Sequence, residues 1–196
     1  MRILFAILSY LLGSVPTGYL LVRASAKRDV REMGSGSTGA TNVLRVKGWK
    51  TALPVALFDV LKGFLPVLLA LRWFDDPAFA ALCGFAAVLG HCFPFAIGFR
   101  GGKGMATSLG AFAAIAWAPC LASLGLFVLV ISLTRFVSLG SILAALAFPV
   151  VYFAGGGPAP AAAVALAIGA LVIVRHASNI GRLIKGTERK IGEKRP

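Results

Sequence analysis

Long apolar segments with almost no charge are the feature that most limits how this chain can fold. Three of them, residues 3–22, 51–71 and 78–99, are about as long as an α-helix that crosses a hydrocarbon core of about 30 Å. Only 14% of the 196 residues are charged, against about 25% in an average soluble domain. A soluble monomer does not fit, and the sequence predicts an all-α polytopic membrane protein forming a single domain over residues 1–196.

The number of membrane helices is ambiguous by length alone. Residues 105–134 form one apolar run interrupted by Pro119, which is too long for one simple helix and short for two full ones. Two further runs, 137–154 and 159–174, are separated by a Gly-Gly-Gly-Pro turn that cannot continue a helix. The chain therefore has six or seven spans.

The distribution of positive charge decides between these counts. The gap 23–50 and the tail 175–196, which includes Lys194 and Arg195, each carry seven cations and two acids. The positive-inside rule puts both on the cytoplasmic side, so an even number of crossings separates them. Splitting the long run at Pro119 gives that even number. The sequence thus predicts seven transmembrane helices, with the N-terminus outside and the C-terminus cytoplasmic.

Two glycine-rich loops on the predicted cytoplasmic side are candidate anion sites. The first contains Ser35, Gly36, Thr41 and Asn42 and is followed by Arg45. Glycine permits unusual backbone angles, hydroxyls donate hydrogen bonds, and a guanidinium grips two phosphate oxygens at once. A flexible linker is the alternative, but a linker has no need for such a polar cluster.

The glycines of the first loop also match the G-x-G-x-x-G pattern of dinucleotide-binding folds. That pattern must join a strand to a helix, and here it joins two membrane spans. A nucleotide fold is therefore not predicted.

The second loop is Gly101-Gly102-Lys103-Gly104, which leads into a predicted helix. A helix N-terminus beside a lysine favours an anion. It is not a Walker A motif, because no hydroxyl follows the lysine directly. A plain turn between two spans is the alternative.

Further polar residues lie within or at the ends of the apolar runs. Asp59 and Lys62 share one helical face, so we expect them to pair inside the bundle, where they either brace a cavity or touch a ligand. Ser138 with Ser141 and His176 with Asn179 form similar pairs at cytoplasmic ends. The three cysteines have no disulfide or metal-ligand spacing, so neither a metal nor a cofactor is predicted.

Three functional classes fit these patterns to different degrees. Because the polar clusters share one depth at the interface, an enzyme is favoured over a transporter, whose site is expected near the midplane. An organic-phosphate transporter using Asp59 and Lys62 is the runner-up, and a non-catalytic scaffold with a lipid-binding tail is the third. If the protein is an enzyme, deleting residues 185–196 is expected to spare much of the catalysis. Nucleic acid is not an expected partner, because the cations lie in short gaps.

Taken together, the motifs resemble the bacterial acyl-phosphate:glycerol-3-phosphate acyltransferase family over nearly the whole chain. The segments that carry the resemblance are Gly34-Ser35-Gly36, Gly39-Ala40-Thr41-Asn42 with Arg45, Phe58-Asp59-Val60-Leu61-Lys62-Gly63, Leu89-Gly90-His91, Pro94, Gly101-Gly102-Lys103-Gly104, Val137-Ser138-Leu139-Gly140-Ser141, Arg175-His176 and Asn179. One position departs from the pattern, since Ser37 stands where the family usually has Asn.

The resemblance implies an activity and roles for the matching residues. It implies acyl transfer from acyl phosphate to glycerol-3-phosphate in the bacterial inner membrane, at a cytoplasmic site, giving lysophosphatidic acid without a cofactor or a protein general base. The implied ligands of the glycerol-3-phosphate phosphate are Arg45, Lys103, Ser141, His176 and Asn179. Ser35, Thr41 and Asn42 are implied to shape the site, and Gly101, Gly102 and Gly104 are implied to cradle the acyl phosphate. Gly36, Asp59 and Lys62 are further predicted substrate-binding residues.

Overall fold

The chain folds into helices alone, as the apolar runs predict. The structure, a computed structural model, describes residues 1–193, so Lys194 and Arg195 of the basic tail lie outside the described residues. Within that range there are no strands and two short 3-10 helices, Val30–Glu32 and Phe95–Ile97. The α-helices are α1 Arg2–Gly13, α2 Thr17–Ala26, α3 Ala40–Lys47, α4 Trp49–Phe74, α5 Pro77–Cys92, α6 Met105–Ile115, α7 Trp117–Thr134, α8 Val137–Ala154, α9 Ala159–Arg175 and α10 Ala177–Ile184.

Fewer helices have the length of a membrane span than the sequence predicts. Over residues 1–193, five segments are long and apolar enough, or six if α9 and α10, which meet at a bend of 58°, form one broken span. The helix α6 has 11 residues and is therefore about 16 Å long, well short of a hydrocarbon core of about 30 Å. Length therefore does not confirm seven spans.

The long run 105–134 does divide into two helices, but not at the predicted residue. The break falls at Ala116, which has extended backbone angles and separates α6 from α7. Pro119 lies within the first turn of α7. A proline is tolerated there because the first backbone N–H groups of a helix have no partner inside the helix.

The apolar run 3–22 is also broken, at a position that the sequence did not predict. Pro16 separates α1 from α2, and the ammonium of Lys62 in α4 donates to the carbonyl of Val15 at 3.0 Å. The break leaves the carbonyl of Val15 without a partner in its own helix. Because water is absent from the interior of an apolar bundle, the ammonium of Lys62 supplies the hydrogen bond that this carbonyl needs.

Glycines allow the helices to pack closely. A side chain on Gly13 would overlap the backbone of Ala87, which brings α1 against α5, and one on Gly63 would overlap Thr107, which brings α4 against α6. Small residues at such contacts let the backbones of two helices approach each other closely. These contacts hold α1 against α5 and α4 against α6.

The two basic segments of the chain meet at one end of the bundle. Arg31 donates to the carbonyl of Ile97 at 2.6 Å, and Arg175 donates to the carbonyl of Gly102 at 3.1 Å. At the other end Arg2 forms an ion pair with Asp76 at 2.9 Å. The first loop, the second loop and the C-terminal segment therefore share one end of the molecule.

Candidate active site

A cavity of about 320 Å3 opens at the end of the bundle where the basic segments meet. Its walls come from both glycine loops, from α4, α6, α7 and α8, from the α9–α10 bend and from the C-terminal segment. Of the predicted site residues, ten line it: Ser35, Thr41, Asn42, Arg45, Asp59, Lys103, Gly104, Ser141, His176 and Asn179. Gly36, Lys62, Gly101 and Gly102 do not.

The first loop is organised by Asn42. Its side-chain oxygen accepts a hydrogen bond from the Ser35 N–H at 2.7 Å, and its amide nitrogen lies within 3.2 Å of the carbonyls of Val30, Met33 and Ser37. The side chain is 2% exposed. Because these contacts use its donors and its acceptor, Asn42 shapes the loop, and it leaves Thr41 and Arg45, one helical turn apart, on the cavity wall.

The second loop is held by the ends of two helices. The N–H groups of Gly101 and Gly102 donate to the carbonyls of Cys92 and His91 at 3.2 and 3.1 Å, and Arg175 donates to the carbonyl oxygens of both glycines. Those N–H groups are therefore already paired within the protein. The loop places Lys103 and Gly104 on the cavity wall, with Gly104 at the start of α6.

The polar end of the cavity brings together residues from distant parts of the chain. The ammonium of Lys103 donates to the side-chain oxygen of Asn179. His176 contacts the carbonyl of Val172 through Nδ1 at 2.7 Å. Since a carbonyl only accepts, Nδ1 carries a proton, and Nε2 remains for a ligand as an acceptor when neutral or a donor when protonated.

Glu188 is a site residue that the sequence analysis missed. Its side chain is 3% exposed, and the carboxylate accepts hydrogen bonds from Ser138 at 2.8 Å, Asn179 at 2.6 Å and Arg182 at 2.7 Å. Burial acts to raise the pKa of Glu188, but these hydrogen bonds outweigh burial and hold the pKa below its ordinary value. The one feature of the sequence that could have indicated this role is the presence of an acidic residue within the otherwise basic stretch 185–190.

The cavity favours anions. Among the described residues, Glu188 is paired with Arg182 and Asp59 with Lys62, whereas no carboxylate lies within 4.0 Å of Arg45 or Lys103. Burial lowers the pKa of Lys103 to about 8, which means that the charged ammonium is destabilised. A negatively charged ligand beside it would stabilise the charged form. Two cations without acidic partners beside a helix N-terminus can hold phosphate groups.

Asp59 and Lys62 form the buried pair that their spacing predicts. Lys62 Nζ lies 2.7 Å from Asp59 Oδ1, and both side chains are at most 2% exposed. His91 Nδ1 lies 3.6 Å from the same oxygen. Asp59 lines the cavity, whereas Lys62 donates to the carbonyl of Val15 and does not line it.

The remaining wall of the cavity is mainly apolar. We call this part the apolar arm; its residues come from α4, α6, α7 and α8 and are Ala56, Val60, Leu109, Phe112, Cys120, Ser123, Leu124, Phe127 and Ala144. The cavity thus joins an anion-binding end to a hydrocarbon-lined end. This combination suits a molecule with a phosphate head and an apolar chain.

Comparisons with known proteins agree with this geometry. Residues 3–186 match the family model described as glycerol-3-phosphate acyltransferase. Proteins of that name from Synechococcus sp. (strain CC9902) and Brucella anthropi are 50% and 44% identical to this chain. The matches cover 98% and 96% of this chain and 96% and 92% of those relatives.

Two solved structures share the fold. The crystal structure of PlsY (YgiH), an integral membrane glycerol 3-phosphate acyltransferase, in its glycerol 3-phosphate form has a TM-score of 0.94 at 40% identity, covering 97% of this chain and 96% of that one. The lysophosphatidic acid form has a TM-score of 0.91 at 39% identity, covering 97% and 95%. This chain therefore belongs to the glycerol-3-phosphate acyltransferase family of integral membrane enzymes.

Proposed function

We propose that this protein transfers a fatty acyl group from acyl phosphate to the 1-hydroxyl of glycerol-3-phosphate. The products are lysophosphatidic acid and inorganic phosphate, as in the first step of bacterial phospholipid synthesis. The observation that carries the proposal is the single cavity that joins Arg45, Lys103 and His176 to an apolar arm. Both substrates are phosphorylated, and one of them carries a hydrocarbon chain.

The polar end is proposed to bind the two phosphate groups. Arg45, Lys103, Ser141, His176 and Asn179 would hold glycerol-3-phosphate, with Ser35, Thr41 and Asn42 shaping the wall around it. The acyl phosphate would lie beside Lys103 and Gly104 at the N-terminus of α6. Gly101 and Gly102 contribute by holding Lys103 in position, since their N–H groups bond to the end of α5.

The reaction needs alignment more than activation. An acyl phosphate is a mixed anhydride whose leaving group is phosphate, so its carbonyl carbon is already electrophilic. The glycerol hydroxyl oxygen bonds to that carbon, the bond from the carbon to the phosphate oxygen breaks, and the departing phosphate takes the hydroxyl proton. The protein stabilises charge and holds the reactants together, and no protein group removes the proton.

We further propose that the site faces the cytoplasm from the bacterial inner membrane. Seventeen of the twenty Lys and Arg residues would then be cytoplasmic, as the positive-inside rule favours. The helices α6 and α7 enter and leave at the same end whether or not α6 reaches the far surface. The two basic segments therefore stay on one side, and α6 is proposed as a short seventh membrane segment, with the N-terminus outside.

A product assay with matched donors tests the proposal. Purified protein receives glycerol-3-phosphate with either palmitoyl phosphate or palmitoyl-CoA, and lysophosphatidic acid is measured by mass spectrometry. We expect product from palmitoyl phosphate, with release of one inorganic phosphate per ester. Equal turnover with palmitoyl-CoA, or no product with either donor, would refute the proposed donor.

Variants connect that activity to the cavity. Lys103→Ala and Arg45→Ala each remove a cation from the wall and should lower turnover on the order of 10²-fold, as loss of one preorganised donor does elsewhere. Lys50→Ala is the matched control, because it removes an exposed cation outside the cavity. Near-normal rates in both cavity variants would exclude these residues as phosphate ligands.

A further inference from the structure

The apolar arm ends at Phe112. This is the last residue of α6 that lines the cavity, and the lining on that helix begins at Met105. The advance of seven residues corresponds to about 10 Å of helix. On α8 the lining ends at Ala144, so Phe148, one helical turn further along, does not line the cavity. Phe112 therefore marks a floor.

Two stacked aromatic rings form that floor. The rings of Phe112 and Phe148 are nearly parallel, at 4°, with centroids 3.8 Å apart. Phe148 is fully buried and stacks in turn on Tyr152 at 5.7 Å. Next to the pair, the thiol of Cys120 lies 3.7 Å from the carbonyl of Leu109, which brings α7 against α6. Rigid rings in a packed interior yield little to a ligand.

The depth of the floor has a consequence for the acyl donor. Half of a hydrocarbon core is about 15 Å thick, so a chain that fills one leaflet is longer than a cavity that is about 10 Å deep along α6. The acyl chain enters the arm from a bilayer that is equally apolar. The free energy of this transfer therefore contributes little to the selection among chain lengths. Steric fit against the floor therefore decides which chains can bring their carbonyl to the polar end.

We propose that the stacked pair Phe112–Phe148 sets the acyl-chain length that this enzyme prefers. The proposal rests on the acyl transfer proposed above and adds its specificity determinant. Chains that end above Phe112 lie wholly within the arm, and longer chains must turn out toward the bilayer before they reach the floor. Removing the Phe112 ring deepens the arm, and a larger side chain at Ala144 makes it shallower.

The test is a competition among donors in one reaction. Protein in lipid nanodiscs receives glycerol-3-phosphate and an equimolar mixture of saturated acyl phosphates from decanoyl to stearoyl, and the chain lengths of the lysophosphatidic acid products are measured. The ratio of products reports relative kcat/KM and does not depend on the amount of active protein. Phe112→Ala should raise the ratio of long to short products about tenfold or more, and Ala144→Leu should lower it by a similar factor, as in other apolar pockets that discriminate by single methylenes.

Matched controls and milder variants make the outcome decisive. Phe153→Ala and Ala167→Leu make the same changes at exposed positions of α8 and α9 and should leave the ratio unchanged. Phe112→Leu and Ala144→Val replace any variant that does not fold, and their shifts should have the same signs. An unchanged ratio in folded cavity variants that still make product would overturn the length determinant alone. Absence of product in the unmutated protein would instead overturn the proposed function.

Discussion

Lys103 is the residue whose charge most directly links the site to pH. Its pKa is lowered by burial to about 8, so the ammonium is present below that pH and is lost as the pH rises through it. We expect kcat/KM for glycerol-3-phosphate to fall about tenfold per pH unit above that value, because this parameter reports the free enzyme.

Lys103→Arg separates this residue from other titrations. A guanidinium stays charged across the range, so the alkaline fall should disappear in this variant even if its overall rate is lower. The measurement is a pH profile of kcat/KM for both proteins at constant ionic strength. The same alkaline fall in the Arg variant would assign it to another group.

Glu188 is expected to act through Asn179. One carboxylate oxygen accepts hydrogen bonds from Ser138 and Asn179, and the other accepts one from Arg182. In Glu188→Gln the amide nitrogen is a donor and replaces one carboxylate oxygen, so it faces another donor. This unpaired contact costs on the order of 1–3 kcal/mol in unfolding free energy. The glutamine oxygen is uncharged and therefore a weaker acceptor for Asn179 than the carboxylate, so Asn179 is held less firmly toward Lys103 and KM for glycerol-3-phosphate should also rise.

Kinetics and thermal unfolding of Glu188→Gln check this expectation together. Glu193→Gln is the control, since Glu193 is exposed and, among the residues that the structure describes, accepts a side-chain hydrogen bond only from the backbone of Lys190. A loss of stability without a change in KM would limit Glu188 to a structural role.

The loop between α5 and α6 works as an element that carries Lys103. A side chain on Gly102 would overlap the imidazole of His91, whereas one on Gly125 in α7 would meet nothing within 4 Å. Gly102→Ala should therefore displace Lys103 and lower turnover on the order of 10²-fold, as small misplacements in active sites do. Gly125→Ala should behave like the unmutated protein, and equal activity of the two variants would contradict this role of the loop.

The C-terminal segment contributes Glu188 to the cavity wall, and this changes the expected effect of removing the segment. The N–H of Ile191 donates to the carbonyl of Arg135, and the guanidinium of Arg135 donates to the carbonyl of Ile191. Deleting residues 185–196 should therefore abolish activity, because it leaves Ser138, Asn179 and Arg182 without their shared acceptor. Lys185→Ala, which removes only an exposed charge, should remain active in the same product assay. An active deletion variant would show that the segment is dispensable.

At the scale of the whole molecule, the proposed topology places the ends of α4 on opposite sides of the membrane. With the three native cysteines replaced, Lys50→Cys and Lys185→Cys should react with a membrane-impermeant thiol reagent only from the cytoplasmic side. Arg72→Cys, at the other end of α4, should react only from the outside. Labelling of intact cells and inverted vesicles measures this, and opposite sides for Lys50→Cys and Lys185→Cys would refute the arrangement.

Much of the architecture could be predicted because partitioning into a membrane is a local property of the sequence. The run 137–154 coincides with α8, and the run 51–71 lies within α4. The helix breaks were harder to predict. Pro119 is tolerated in the first turn of α7, and α6 ends one residue before the break at Ala116. The helix α1 ends before Pro16, and Lys62 from α4 supplies a partner for the carbonyl of Val15. These breaks depend on contacts with other helices, which local patterns do not record.

The apolar runs and the grouping of cations by themselves determined that this chain is a helical membrane protein, and its motifs indicated the family and ten of the residues that line the cavity. Only the tertiary structure decided how those residues meet. Lys103 contacts a residue 76 positions away, Ser138 contacts one 50 positions away, and Phe112 stacks on Phe148. Such pairs form because packed helices bring side chains to one depth, and no local spacing in the sequence encodes that distance.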